Sequence, residues 1–151
     1  MDFVRPGWMA GCSALSWQTA DGCHLWGRNF DFNRLAEGTA VTFVPRGTAF
    51  YTCGTAREGD LVESTRQQAR YACLGVGTCL LQSTPVLYEG VNEKGLMGGQ
   101  LYFRGFARYG HIPRRGTAPV QAGLALPYIL SQCATCEEAA RELMSGVTVV
   151  N

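Results

Sequence analysis

The chain has 151 residues, of which 46% are hydrophobic and 17% charged, a composition that suits one folded domain and excludes intrinsic disorder. Thirteen basic and twelve acidic side chains give a net charge of +1, so no nucleic-acid partner is indicated. No run approaches the roughly 18 apolar residues of a membrane helix, and we predict no membrane partner.

The first eleven residues end in Met-Ala-Gly directly before Cys12. An export signal needs an apolar stretch of at least about seven residues, and Pro6 and Gly7 interrupt this one. We therefore predict that residues 1–11 are a leader removed on maturation, which exposes Cys12, and that the protein is cytoplasmic. A periplasmic location would require a start further upstream.

Most of the following chain alternates with a period of two, which is typical of strands. Residues 12–17 and 23–27 flank Asp21 and Gly22, a pair that supplies the positive φ angles of a type I′ turn, so we predict a hairpin. Further apolar runs that predict strands lie at 41–44, 49–53 and 71–76. The polar residues 57–70 predict a solvated loop or a short helix. A second hairpin is expected over residues 86–103, with its turn at 92–95.

The pattern changes to helical spacing after residue 119. Residues 120–133 predict a helix interrupted by Pro127, and Thr135 is predicted to open a second helix over 137–145 in a capping box with Glu138. Residues 147–150 predict the start of another strand. Strands followed by a helix pair indicate an α+β fold, and we expect one domain that is incomplete at its C-terminal end.

Seven cysteines cannot all pair with one another. Cys133 and Cys136 form a Cys-x-x-Cys motif without the second pair or nearby histidine of a zinc site. Capping of the predicted helix explains this spacing, and a redox or metal-binding module is the rival hypothesis. We predict neither a metal nor a cofactor.

Cys12 is distinguished from the other cysteines by its position. If it becomes the first residue, its own α-amine, with a reference pKa of about 7.7 to 8.0, can take the proton of a thiol whose reference pKa is about 8.5. The predicted hairpin returns Arg28 and Asp31 beside it, where an arginine favours a thiolate and a carboxylate accepts hydrogen bonds from an amine. An ordinary Arg28–Asp31 ion pair is the alternative.

Several short motifs occur together in one order along the chain. They are Cys12, Asp21-Gly22, Gly-Arg-Asn-x-Asp at 27–31, and the segments 43–46, 75–78 and 88–96, the last of which contains Asn-Glu-Lys-Gly-Leu. In this combination the chain resembles the choloylglycine hydrolase family, which contains the bile salt hydrolases and the penicillin V acylases.

The resemblance implies an αββα N-terminal-nucleophile hydrolase that cleaves linear amides through a thioester after removing its own leader. Cys12 matches the nucleophile, Arg28 and Asp31 match the pair beside it, and Tyr102 matches the residue whose backbone N–H contributes to the oxyanion hole. The resemblance places residues 12–151 in the N-terminal half of the domain. We therefore expect this chain to be inactive alone and the full-length protein to be a homo-oligomer, a tetramer by resemblance.

The expected partner is a small-molecule amide. Tyr102 resembles the penicillin V acylase branch, because bile salt hydrolases generally have Asn there. Phe30, Phe32 and Phe103 are predicted to form the aromatic mouth of a pocket for an aryl or alkyl acyl group, although they could instead be core residues of their strands. We predict a penicillin V acylase-like amidase; the alternatives are a bile salt hydrolase, an N-acyl-homoserine lactone acylase, or an inactive fragment of such an enzyme.

Overall fold

The computed structural model describes residues 10–32, 38–54, 65–80, 84–102, 106–110 and 112–150. Its strands, in chain order, are β1 (Ala10–Gln18), β2 (His24–Phe32), β3 (Ala40–Val44), β4 (Ala49–Tyr51), β5 (Arg66–Gln68), β6 (Cys73–Leu80), β7 (Thr84–Asn92), β8 (Met97–Gly99), β9 (Ala118–Gln121) and β10 (Val147–Val150). Its α-helices are α1 (Ala125–Gln132) and α2 (Cys136–Arg141). The prediction of an α+β fold is confirmed.

Strands β1 and β2 form the predicted antiparallel hairpin. The prediction of a type I′ turn centred on Asp21 and Gly22 is wrong, because the Gly22 N–H donates to the Thr19 carbonyl at 2.9 Å. Asp21 and Gly22 are therefore the third and fourth residues of the turn, and only the left-handed φ of 87° at Gly22 follows the prediction. A hydrogen bond from the Thr19 hydroxyl to the Asp21 carboxylate stabilises this longer loop.

A four-stranded antiparallel sheet follows, in the order β3-β6-β7-β8. Strands β7 and β8 confirm the second predicted hairpin. The register of β6 against β7 shifts between Val76 and Gly77, and a Cβ atom at Gly75 or Gly77 would collide with a backbone oxygen of β7. Glycine at these two positions therefore allows the close approach of the two strands.

The polar segment is only partly described, since residues 57–64 lie outside the described ranges. Arg66–Gln68 forms β5 and pairs antiparallel with β4. The prediction of a loop or short helix is therefore wrong for these three residues. Their polar side chains misled the prediction, because in this strand only the middle side chain is even partly buried and the backbone pairing decides the conformation.

The helical prediction over residues 120–133 began too early. Val120 belongs to β9, which pairs parallel with β10, and a 3₁₀ turn at Ala122–Leu124 leads into α1. Pro127 does not interrupt α1 because it lies in the first turn, where its missing N–H has no helical acceptor.

The second predicted helix is confirmed with a different ending. The Thr135 hydroxyl accepts the Glu138 N–H at 3.2 Å, as an N-cap does. The Glu138 carboxylate accepts the N–H of Ala134 at 2.7 Å, one residue before the position of a standard capping box. After Arg141 the helix continues as a π-helical turn over Glu142–Gly146.

Helix α1 packs on β7, and the core lies at this contact. Its most deeply buried side chains are Phe50, Leu87, Val120, Leu130 and Val147. In the part of the chain that the structure describes, no helix has the length and apolar character needed to cross a membrane.

Asn92, the first residue of the Asn-Glu-Lys-Gly-Leu motif, is buried and ties the β7–β8 turn to this helix. Its Nδ2 donates to the carbonyls of Leu130 and Cys133 at 2.8 and 2.7 Å. Its Oδ1 accepts the N–H groups of Lys94 and Leu96, both at 3.0 Å. One amide thus satisfies four backbone groups, two of them at the end of α1.

We predict that Asn92→Ala lowers the free energy of unfolding by about 3 kcal/mol, because buried backbone groups lose their partners. Gln132→Ala is the control, since its amide donates to the Gln68 carbonyl at an exposed site and its loss should cost less than about 1 kcal/mol. Urea denaturation of the full-length protein measures both values. Equal losses in the two variants would contradict the anchoring role of Asn92.

Candidate active site

Cys12 and Arg28 lie on one face of the β1–β2 hairpin. Cys12 is opposite Phe30 and Arg28 is opposite Ala14, so the two side chains are diagonal neighbours, which a long side chain can bridge. Arg28 Nη2 donates to Cys12 Sγ at 2.9 Å. The structure therefore brings together the predicted nucleophile and the predicted arginine.

The other side of the Arg28 guanidinium is anchored in the four-stranded sheet. Nη1 donates to the carbonyl of Tyr88 at 2.8 Å and to the carbonyl of Gln100 at 2.7 Å. The guanidinium carbon also lies 4.8 Å from the centroid of the Phe30 ring, which packs against the Tyr88 ring at 5.0 Å. Because the guanidinium is a rigid plane, these contacts fix the direction in which Nη2 points at the sulfur.

Asp31 lies on the other face of the hairpin, where it is exposed and opposite Gly11. Successive residues of a strand alternate between faces, so while the chain continues through Gly11 the Asp31 side chain does not share the face of Cys12. Within the described ranges, Arg28 and Asp31 form no ion pair. The ion-pair alternative is therefore wrong for this structure.

The remaining predicted site residues have different outcomes. Tyr102 follows β8 and is 40% exposed; the contribution of its backbone N–H to an oxyanion hole stays a prediction. Phe30 is 38% exposed, but its ring supports Arg28. The side chain of Phe32 and all of Phe103 lie outside the described part of the structure.

Trp26 and Gln100 are two site residues that the sequence analysis missed. The Trp26 ring covers Gly99 so closely that a Cβ atom there would collide with it, which docks the hairpin on β8. Side chains two residues apart on a strand lie on the same face, so the sequence could have placed Trp26 on the face of Arg28. For Gln100 the sequence carried no signal.

A groove of about 540 Å³ lies between β2 and the four-stranded sheet. It runs from Trp26 and Arg28 across aliphatic side chains, and Glu89 adds a carboxylate. Its aliphatic lining residues are Val41, Leu74, Val76 and Val91. The cavity described beside Arg28 is therefore mainly aliphatic. The aromatic pocket mouth formed by Phe30, Phe32 and Phe103 stays a prediction.

The other cysteines have different surroundings. Burial raises the pKa of the Cys73 thiol to about 11, and burial is also the main cause of the rise of the Cys133 pKa to about 11. A thiol of this kind is protonated and unreactive at neutral pH. Since Cys133 is one half of the Cys-x-x-Cys motif, its burial argues against the redox module.

Comparison with known proteins agrees with this geometry. The model of the linear amide C–N hydrolases of the choloylglycine hydrolase family matches residues 12–151. The chain belongs to the choloylglycine hydrolase family. The match begins at Cys12, the residue that the structure places against Arg28.

Curated relatives in this family include two bile salt hydrolases/transferases. That of Clostridium perfringens is 28% identical over 140 residues, covering 93% of this chain and 39% of the relative. That of Bifidobacterium longum subsp. longum is 26% identical over 144 residues, covering 93% of this chain and 41% of the relative. The chain thus spans about 40% of the length of these curated relatives.

A solved structure shows the same fold. A mutant conjugated bile acid hydrolase from Clostridium perfringens superposes with a TM-score of 0.76 at 26% identity, covering 95% of this chain and 40% of that one. The N-terminal-nucleophile hydrolase fold is therefore confirmed. The named relatives favour the bile salt hydrolase alternative over the penicillin V acylase prediction.

We predict that Asp31→Asn changes the free energy of unfolding by less than about 0.5 kcal/mol, because the carboxylate is exposed and outside any ion pair with Arg28. Thermal or urea denaturation of the full-length protein measures this value. A loss above about 1 kcal/mol would show that Asp31 has a structural partner.

Proposed function

We propose that the protein carrying this chain hydrolyses linear amides with Cys12 as an N-terminal nucleophile. The observation that supports this most directly is the 2.9 Å contact between Arg28 Nη2 and Cys12 Sγ, formed where the family match begins. This hydrogen bond holds the sulfur beside a fixed positive charge.

In the proposed first step, the α-amine of Cys12 takes the thiol proton and Sγ attacks the amide carbon. The carbonyl oxygen becomes an oxyanion, which the Tyr102 N–H stabilises. Collapse of the intermediate breaks the C–N bond, and the Cys12 ammonium returns the proton to the leaving amine. Water then attacks the thioester, releases the acid and restores the thiol.

Removal of the leader would break the Gly11–Cys12 bond. The Cys12 nitrogen lies between the Cys12–Phe30 and Gly11–Asp31 pairs of the ladder. A new α-amine at this point would be next to Asp31 and would no longer be held in a continuous strand. The Asp31 carboxylate is thus available to accept a hydrogen bond from that amine.

The proposed substrate is an N-acyl amide with a large apolar acyl group, of the conjugated bile acid class. The names of the relatives support this class, and an aliphatic groove bounded by Arg28 is compatible with a hydrophobic acyl group. The tyrosine at position 102, where bile salt hydrolases generally have asparagine, favours the second candidate, a penicillin V acylase-like activity.

We predict that the active full-length protein starts at Cys12 and that Cys12→Ala abolishes its amide hydrolysis, because alanine has no nucleophilic sulfur. Intact-mass measurement detects the loss of residues 1–11, and a bile acid conjugate assay detects turnover. Asp31→Asn should lower turnover strongly at nearly unchanged stability.

Cys23→Ala is the matched control, since Cys23 is an exposed thiol in the turn of the same hairpin. It should retain wild-type turnover. Wild-type protein that hydrolyses amides with Met1 to Gly11 still attached would refute the N-terminal mechanism.

We predict a kcat/KM for a glycine-conjugated bile acid that is at least about tenfold higher than for a phenoxyacetyl amide, because the apolar steroid buries more area. An acyl-homoserine lactone provides the third comparison. A preference for the phenoxyacetyl amide would assign the protein to the second candidate, and the cysteine mechanism would be unaffected.

A further inference from the structure

Within the described ranges, Gln100 makes four hydrogen bonds at the edge of the candidate site. Its backbone N–H donates to the Tyr88 carbonyl at 2.8 Å, and its own carbonyl accepts from Arg28 Nη1 at 2.7 Å. Its side-chain Nε2 donates to the carbonyl of Leu87 at 3.3 Å and to that of Gly123 at 3.0 Å. The residue therefore connects β7, the turn before α1 and Arg28.

The two carbonyls that hold Arg28 Nη1 are not independent. Tyr88 O accepts from both Arg28 and Gln100, and Gln100 O is the second acceptor of Arg28. The Gln100 side chain ties the same residue to the carbonyls of Leu87 and Gly123. Without it, Gln100 would keep one hydrogen bond to β7 within the described ranges, from its N–H to Tyr88.

The same residue stands two positions before Tyr102. Leu101 and Tyr102 are both exposed, at 44% and 40%, and lie outside the strand. Gln100 thus ties the chain to the fold two residues before the proposed oxyanion donor.

We propose that Gln100 is a positioning residue, which through its carbonyl sets the Arg28 guanidinium against the Cys12 sulfur. This assignment rests on the proposed function for its catalytic consequence. The reactivity of the Cys12 thiol, which should depend on this positioning, can be measured without any substrate.

The experiment compares alkylation of Cys12 by iodoacetamide at pH 7 in the full-length protein, resolved by peptide mass spectrometry. Gln100→Ala should slow alkylation of Cys12 roughly threefold to tenfold, because the guanidinium loses its orientation toward the thiolate. Arg28→Lys should slow it at least as much, since an ammonium cannot bridge both carbonyls and the sulfur. Alkylation of the exposed Cys136 should not change.

Gln132→Ala is the matched control, because it removes a glutamine amide that, among the described residues, binds the Gln68 carbonyl and the Ser131 hydroxyl. In this variant Cys12 should be alkylated at the wild-type rate. An unchanged Cys12 rate in Gln100→Ala would overturn the proposal.

Labelling of the buried Cys73 would report unfolding of Gln100→Ala. If Gln100→Ala unfolds, Gln100→Met tests the proposal instead, since methionine keeps the length of the side chain and lacks its N–H donors. Slow alkylation of Cys12 in Gln100→Met supports the proposal, and alkylation at the wild-type rate refutes it. A protein that shows the Gln100 effect but hydrolyses no amide would refute the proposed function alone.

Discussion

The Arg28 guanidinium is the contact on which the candidate site depends. One of its nitrogens binds two carbonyls of the β7–β8 hairpin region, and another binds the sulfur of Cys12. These bonds join the two-stranded hairpin to the four-stranded sheet, and the packing of Trp26 on Gly99 reinforces that junction. A planar group with several fixed donors can bind the two carbonyls and the sulfur at once, which a lysine cannot do.

The Asn-Glu-Lys-Gly-Leu motif holds the turn of the hairpin whose strands contact Arg28. Asn92 ties the turn to α1, and Glu93 accepts from the Arg46 guanidinium and from the Ala72 N–H. Hydrogen bonds from Arg46 are the main cause that lowers the pKa of Glu93 below its ordinary value. The carbonyls that orient Arg28 belong to Tyr88, in the middle of β7, and to Gln100, directly after β8.

One face of the four-stranded sheet is apolar and open. Val41 is 73% exposed and Phe43 is 63% exposed, and Leu74 and Val91 continue the face on the neighbouring strands. Val41, Leu74 and Val91 also line the groove beside Arg28. This face therefore continues the apolar surface that we propose for the acyl group.

The sequence by itself determined the elements whose signals are local: both hairpins, the Thr135 cap and the strand at 147–150. It also brought Arg28 near Cys12, since a short loop returns the second strand beside the first. It misplaced the turn type, β5 and the start of α1, because pairing with distant strands overrides the local pattern. Only the tertiary structure decided what Asn92 and Gln100 do, and that Phe30 supports the guanidinium. The carbonyls that the Asn92 and Gln100 side chains bind are 13 to 41 residues away. A carbonyl has the same chemistry at every position until the fold selects its partner.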